Sequence, residues 1–461
     1  MNENETDSPE FNRRDFLKSS SVTTLMTMLG GVELFAPAVQ GAEAETKSSG
    51  PKINVAVIGL GSWGRELINT LTVLPQANVA AICDNYPSAL KRVGGSAPGA
   101  TQTEDYKTIL ADKEIKAVFI ATPTHLHKDI ALDALKAGKH VYCEAPLAHT
   151  IEDARAIASA AKAATQLVFQ SGLQLRAEPQ RQFLVPFIRS GAIGQPVMAS
   201  AQWHRKQSWR LAASNPEREK ALNWRLSKET SLGLIGEVGC HQIDQANWFL
   251  NQHPVAVTGF GSVAFWKDGR DVHDTIQAVL EYSGGVNLTY NATLANSFDA
   301  DYEMFYGSDA ALMTRESKEH EKKAWLFKEV DSPMLGWEIY ATKNSFYEET
   351  GIVLAANATK SVKAVKVVEQ SPFANTSLWH ALDTFLRNSN DVIAAKEDFI
   401  STYGTDDLNA LNEAILKAQK VKHPAAGYLE GFHGTVIAVK ANEAILGGKR
   451  IELKPELYEL S

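Results

Sequence analysis

Residues 53–84 read INVAVIGLGSWGRELINTLTVLPQANVAAICD: an apolar β run, then Gly59, Gly61 and Gly64 in G-x-G-x-x-G spacing, a helical stretch, and a second β run closed by an acid. Each part of this unit has a task at a pyrophosphate. Gly59 permits the tight turn, Gly61 lets the backbone approach the anion, and Gly64 lets the following helix pack on the strand. Ser62 and Trp63 open that helix, whose N-terminal N–H groups face the phosphates. Asp84 lies 20 residues after Gly64, where a carboxylate accepts hydrogen bonds from a ribose diol and repels a 2′-phosphate. NAD is therefore favoured over NADP. Glycine-rich turns are common by themselves, and the order strand, turn, helix, strand, acid separates a dinucleotide site from a structural turn.

Outward from this unit the chain keeps alternating. KAVFIAT (116–122) precedes a helical pattern ended by Gly138; KHVYCE (139–144) precedes a helix begun by Thr150; QLVFQ (166–170) follows. The fold class is α/β, with a doubly wound parallel sheet over 52–172. Beyond it, PVMASAQWH, AVTGFGSVAF, TIQAVLEYS, GVNLTYNAT and YEMFYGS alternate as strands of an open, mainly antiparallel sheet covered on one face. Residues 173–461 then form a substrate and oligomerisation domain, whose last helices are free to pack back on the first. Residues 315–375, rich in Lys and Glu, read as a surface excursion.

At the N-terminus, Arg13-Arg14-Asp15-Phe16-Leu17-Lys18 precedes a mild apolar stretch and an A-x-A site at Ala42-Glu43-Ala44. This resembles a twin-arginine export signal over 1–44, cleaved rather than spanning a bilayer, and places the mature protein in the periplasm or outside the cell. Its removal takes three Lys/Arg and seven Asp/Glu from totals of 46 and 54, leaving a net charge of −4. That mild acidic balance argues against nucleic acid as a partner. The three cysteines, Cys83, Cys143 and Cys240, have no C-x-x-C spacing, so neither a disulfide framework nor a metal site is readable. Export after folding lets such a protein leave with NAD bound and thiols reduced.

The G-x-G-x-x-G, ATPTHLH (121–127), CEAPL (143–147), GLIGEVGCHQIDQANWFL (233–250) and the closing GYLEGFHGTVIAVKANEAILGGKRIEL together resemble the Gfo/Idh/MocA family of glucose-fructose oxidoreductases and inositol dehydrogenases. The resemblance implies NAD(P) chemistry at a carbinol carbon of a sugar, glycoside or polyol, in a homo-oligomer. It implies that Thr122, Pro123 and His127 border the cofactor and that Glu144 holds the nicotinamide-side ribose. Glu237 and His241 fall on the family's acid-x-x-x-His pair. At i and i+4 they project from one face of a helix and suit a proton relay, the carboxylate orienting the imidazole and favouring its charged form.

One position departs. The family's E-K-P lysine, which contacts the nicotinamide ribose and the reacting hydroxyl, is Ala145 here, and a methyl group neither donates a hydrogen bond nor carries charge. Loss of activity with retained NAD, transfer of the role to His241, and a cation from elsewhere such as Arg176, Lys206 or Lys228 all remain open. QWHRKQSWR (202–210) and NWRLSKETSLG (223–233) offer Trp203, His204, Trp209, Arg210, Trp224, Arg225 and Lys228 as sugar contacts, against the alternative that such residues pack a core or an interface. Outside the cytoplasm there is no soluble NAD pool, so the cofactor stays bound and is regenerated within each turnover. A transient ketone that permits elimination at a glycosidic carbon is one such cycle. A non-catalytic, NAD-holding sugar-binding protein is the reading of a different class.

Overall fold

The computed structural model describes residues 52–316, 322–329, 351–355, 375–420 and 423–460. The twin-arginine stretch and its cleavage site lie outside them. The first six strands are β1 (Ile53–Ile58), β2 (Ala77–Cys83), β3 (Thr101–Thr103), β4 (Ala117–Ile120), β5 (His140–Cys143) and β6 (Phe169–Ser171). They pair in parallel in the order β3-β2-β1-β4-β5-β6, the doubly wound order of a dinucleotide-binding sheet. Helices α1 (Ser62–Leu71), α2 (Pro87–Val93), α3 (Tyr106–Ala111), α4 (His127–Lys136) and α5 (Ile151–Ala163) make the crossovers. AVFI of β4 and HVYC of β5 are buried at every position, as a parallel strand covered on both faces requires. Thr150 caps α5 by accepting the Asp153 N–H at 3.1 Å.

After α6 (Pro179–Arg189), strand β7 (Pro196–His204) starts a second sheet. It is followed by α7 (Pro216–Leu222), α8 (Gly233–Glu237) and α9 (Gly239–Leu250), then β8 (Ala256–Ser262), β9 (Thr275–Glu281), β10 (Asn287–Thr293), β11 (Asp301–Gly307), β12 (Ala310–Glu316), β13 (Lys322–Lys328) and β14 (Gly351–Ala355). Helices α10 (Ser377–Tyr403), α11 (Leu408–Lys420) and α12 (Tyr428–Gly447) lead to β15 (Ile451–Glu452). The order is β14-β13-β12-β11-β7-β10-β9-β8-β15 among the described residues, with β7 and β10 parallel and the other pairs antiparallel. Ala199, Ile276, Leu280, Tyr290 and Phe305 on its inner face pack with Phe187 of α6, Phe249 of α9 and Ile437 of α12 in one core. Each such large side chain contributes roughly 1.5–3 kcal/mol on burial.

The late helices return to the first sheet. Leu382 and Phe385 of α10 enter the core under α1, with Phe385 5.1 Å from Phe119 and 5.8 Å from Tyr142 between ring centroids. Phe432 and Val436 of α12 enter the core on the opposite face. Because α12 also packs on β8, it ties the two sheets together and fixes the cleft between them.

Two expectations change. Part of the Lys/Glu-rich stretch is not an excursion: KKAWLFK forms β13 and GIVLA forms β14, at the edge of the second sheet. Flanking lysines obscured the alternation, in which Ala324 and Leu326 join the main core while Trp325 is buried on the other face with Met313. The remainder, 317–321, 330–350 and 356–374, lies outside the described residues. The AVTGFGSVAF strand stops at Ser262, because buried Asp274 accepts the N–H groups of Ala264, Phe265 and Trp266 at 2.7–2.8 Å and turns the chain.

Candidate active site

The carboxyl ends of β1, β4 and β5 form one wall of a cleft of about 730 Å³, and β7, β11 and α9 form the other. Ligands of doubly wound sheets bind at that edge. The three glycines divide the work as their spacing implied. Gly59 sits at φ +95°, and a Cβ there would lie 2.7 Å from the Ala121 carbonyl and the Thr122 nitrogen. A Cβ on Gly64 would lie 1.9 Å from the Gly59 oxygen, so helix and strand touch. A Cβ on Gly61 would meet nothing within 4 Å, so that face leaves room for a phosphate. The start of α1, at Ser62 and Trp63, has no side-chain cap and no acid in its first turn, which leaves its N–H groups for an anion. Asp84 accepts the Leu60 N–H at 2.8 Å on one oxygen and the Tyr86 N–H at 2.9 Å on the other. Both oxygens keep a lone pair for a ribose diol.

His127 is a clasp. It is 1% exposed, with Nδ1 3.2 Å from the Pro146 oxygen and Nε2 3.0 Å from the Thr122 oxygen, so it ties the loop after β4 to the loop after β5. Burial pushes its pKa down to about 4. Pro123 shapes the turn Thr124–Leu126 and does not line the cleft. Thr122 Oγ1, Glu144 Oε1 and Ser377 Oγ are buried, belong to cleft-lining residues and have no hydrogen-bond partner. Orphaned polar atoms around an open glycine turn and a diol acceptor fit an NAD molecule.

Across the cleft, the expected relay is not formed. Val238, at φ −130°, breaks the segment into α8 and α9, so Glu237 and His241 are not one turn apart on a common helix face. Glu237 turns instead to Thr124 Oγ1 (3.3 and 3.4 Å), Ser231 Oγ (3.2 Å) and the Arg225 Nε (3.6 Å). Burial raises its pKa, with Arg225, Ser231 and the Leu232 amide acting against that rise. His241 lines the cleft without a carboxylate partner, and burial alone takes its pKa down to about 4, so the ring is neutral and its charged form is unsupported. Glu144 is 7% exposed; burial pushes its pKa up to about 7, against hydrogen bonding from the Trp63 side chain and the Ala145 amide.

Of the proposed substrate contacts, Trp203, Trp209, Arg210 and Arg225 line the cleft. Trp209 is held at φ +64°, a conformation that non-glycine residues adopt rarely and that gathers at functional sites. The others lie elsewhere. Arg176 binds Asp244 through two bonds of 2.8 and 2.9 Å, and His204 Nδ1 lies 3.1 Å from the Phe298 oxygen. Trp224 is 7% exposed and carries Arg225 4.2 Å from its ring; Lys228 is exposed outside the cleft. Lys206 stacks on Phe265 at 5.3 Å. None of Arg176, Lys206 or Lys228 replaces the lysine. No motif pointed to Arg181, Asp301, Glu303 or Ser377, which reach the cleft through tertiary folding, while Thr124 lay inside the ATPTHLH motif without being singled out. Gln242, beside His241, was within reach of the motif. No group of three or more His, Cys, Asp or Glu among the described residues could hold a metal ion.

The oxidoreductase family Gfo/Idh/MocA, described as having an NAD-binding Rossmann fold, matches residues 53–171, and the family's C-terminal domain matches residues 184–312. Together these are more than half of the chain. Levoglucosan dehydrogenase of Pseudarthrobacter phenanthrenivorans is 29% identical over 279 residues, 53% of this chain and 70% of that protein. Inositol 2-dehydrogenase 2 of Saccharopolyspora erythraea is 30% identical over 235 residues, 51% of this chain and 64% of that protein. The structure of a levoglucosan dehydrogenase with NADH and L-sorbose shares the fold at a TM-score of 0.63 and 18% identity, covering 88% of this chain and 99% of that one. An aldose-aldose oxidoreductase from Caulobacter crescentus with glycerol does so at 0.61 and 18%, covering 87% and 100%.

Proposed function

The chain belongs to the Gfo/Idh/MocA family of NAD-binding oxidoreductases, and we propose that it acts at a carbinol carbon of a sugar or glycoside and, from its Arg13-Arg14 stretch, that it is exported with an NAD that stays bound between turnovers. The observation that carries retention is a roof over the cofactor edge. Gln207, Ser208, Trp209, Arg210, Leu211 and Leu222, from the segment joining β7 to α8, face Ser62, Trp63 and Thr122 across the cleft. The roof is braced by contacts within itself and meets the first domain at Tyr86. Arg210 binds Glu219 at 2.6 Å, Asn223 holds Leu211 by its N–H at 2.7 Å and its oxygen at 3.0 Å, and the Arg218 guanidinium sits 3.8 Å over the Tyr86 ring, two residues from Asp84.

NAD, when bound, supplies the hydride acceptor and donor. The glycine turn and the start of α1 hold its pyrophosphate, Asp84 its adenine-side ribose, and Glu144 its nicotinamide-side ribose. The chain's own groups do the rest. Trp203 and Trp209, with ring centroids 6.4 Å apart, offer faces for a pyranose. His241, neutral and facing the cleft, donates its ring N–H to the oxygen of the reacting hydroxyl and orients it. Arg225, held by Glu237, supplies fixed positive charge where an alkoxide develops.

Chain purified without added nucleotide, dialysed, and titrated with a panel of sugars and glycosides tests this reading through the reduced-nicotinamide absorbance. Retained NAD with a sugar-dependent absorbance change is expected. A site empty on purification overturns the retained-cofactor cycle. Retained NAD with sugar binding but no redox change favours the non-catalytic reading, which Ala145 supports. Glycoside cleavage with no net redox change favours the transient-ketone cycle.

A further inference from the structure

With the lysine absent, the cleft needs another group to take the carbinol proton. We propose that Glu144 carries the reacting proton: its Oε1 accepts the hydroxyl proton of the substrate during oxidation and returns it during reduction. This rests on the oxidoreductase reading above.

Glu144 stands immediately before Ala145 and lines the same cleft as Glu237 and His241. Its Oε1 is buried and makes no hydrogen bond; a carboxyl has two oxygens, so one meets the nicotinamide-side ribose while the other is left for the reacting carbinol. The fold leaves space for that carboxyl at Gly172, where a Cβ would lie 2.3 Å from Oε2 and 2.9 Å from Cδ. Among the described residues no cation acts on it, so the carboxyl is not locked in its charged form as an ion-paired one would be. The other two groups are poorer acceptors. Glu237 is saturated by Thr124, Ser231 and Arg225, and the His241 ring is pushed down to about 4. A carboxyl pushed up to about 7 is close to neutral operating pH, where an acid–base group is most effective.

The step balances. The carbinol C–H pair leaves as hydride to the nicotinamide, the O–H pair closes the carbonyl, and the proton passes to Oε1. Substrate is oxidised and NAD reduced. Wherever the ketone is reduced again, the same carboxyl returns the proton.

The test compares wild type, Glu144→Gln and Glu144→Asp, each full-length and loaded with NAD, by three readouts. These are NAD affinity from tryptophan fluorescence, kcat/KM against pH for oxidation of the best sugar found, and the carboxyl stretch in infrared difference spectra through neutral pH. Wild-type kcat/KM rises with pH through about 7, because oxidation needs the ionised form. Glu144→Gln lowers kcat on the order of 10²- to 10⁴-fold, removes that limb and the matching infrared band, and leaves NAD affinity within a few-fold. Glu144→Asp keeps a limb at reduced kcat.

A Glu144→Gln enzyme that keeps the pH limb, or that loses NAD while the loaded fraction turns over at the wild-type rate, overturns the proposal and leaves Glu144 as a ribose contact. A wild-type spectrum with no carboxyl titrating near neutrality also overturns it. Wild type that holds NAD and oxidises no carbinol overturns the functional reading itself, which separates the two failures.

Discussion

Asp84 and Ala145 are single residues whose chemistry sets what the cleft can do. Asp84 holds two backbone N–H groups, so Asp84→Ala removes the diol acceptor and also orphans the turn. NAD affinity should fall by roughly 1 to 3 kcal/mol, with the fold intact, as read by nucleotide released from equal amounts of folded protein. At Ala145 a restored lysine would stand beside Glu144. A cation there favours the carboxylate, so Ala145→Lys should move the neutral limb of kcat/KM to lower pH. A large gain in polyol oxidation on that change would instead mark a decayed dehydrogenase. His241→Ala should lower kcat by removing the orienting hydrogen bond while the limb near 7 stays in place; loss of that limb would return the proton to His241. Asp84 and the glycines were legible in the sequence because residue type at fixed spacing carries their function. The role of Glu144 was not, because it depends on an unpartnered oxygen and on burial that only the fold creates.

At the scale of elements, two segments decide the site. The stretch around 233–250 read as one continuous helix, since its acid, histidine and later aspartate sit at helical spacing. The break at Val238 separates Glu237 from His241 and hands Glu237 to Thr124 of the opposite sheet, a contact 113 residues away in sequence that no local pattern encodes. The second segment is the roof between β7 and α8, whose Trp and Arg residues were visible in the sequence but not their destination. Its guanidinium-on-ring contact at Tyr86 is worth about 0.5 to 2 kcal/mol. Arg218→Ala should therefore release bound NAD roughly two- to thirty-fold faster, followed by chasing loaded protein with excess unlabelled nucleotide. Tyr86→Phe keeps the ring but loses the hydroxyl's bond to Ser214 of the roof, so it should speed release less than Arg218→Ala does. Equal release from Arg218→Ala and wild type would show that the roof does not gate the cofactor.

For the whole molecule, both sheets and their order of appearance were legible, because strands covered on two faces and strands covered on one face leave different alternation. Strands β13 and β14 were not, since lysines flank the short apolar core of β13 and β14 is only five residues long. The last helices tie the sheets around the cleft, so the cofactor site is complete only when residues 377–420 and 423–447 have folded onto residues 53–171. If the chain is exported, a cofactor enclosed this way is best loaded where NAD is made, before the chain leaves. Cysteine chemistry is compatible with that route. Burial pushes the Cys83 thiol up to about 12 and those of Cys143 and Cys240 well above the ordinary range, so all three stay protonated and unreactive in either compartment. If Arg13 and Arg14 direct a folded, NAD-loaded chain outward, replacing both by Lys should stop export without harming folding. The expected outcome on fractionation is full-length precursor in the cytoplasm, carrying NAD at wild-type stoichiometry. Mature, shortened protein still accumulating outside would refute the twin-arginine assignment, and empty precursor inside would refute loading before export.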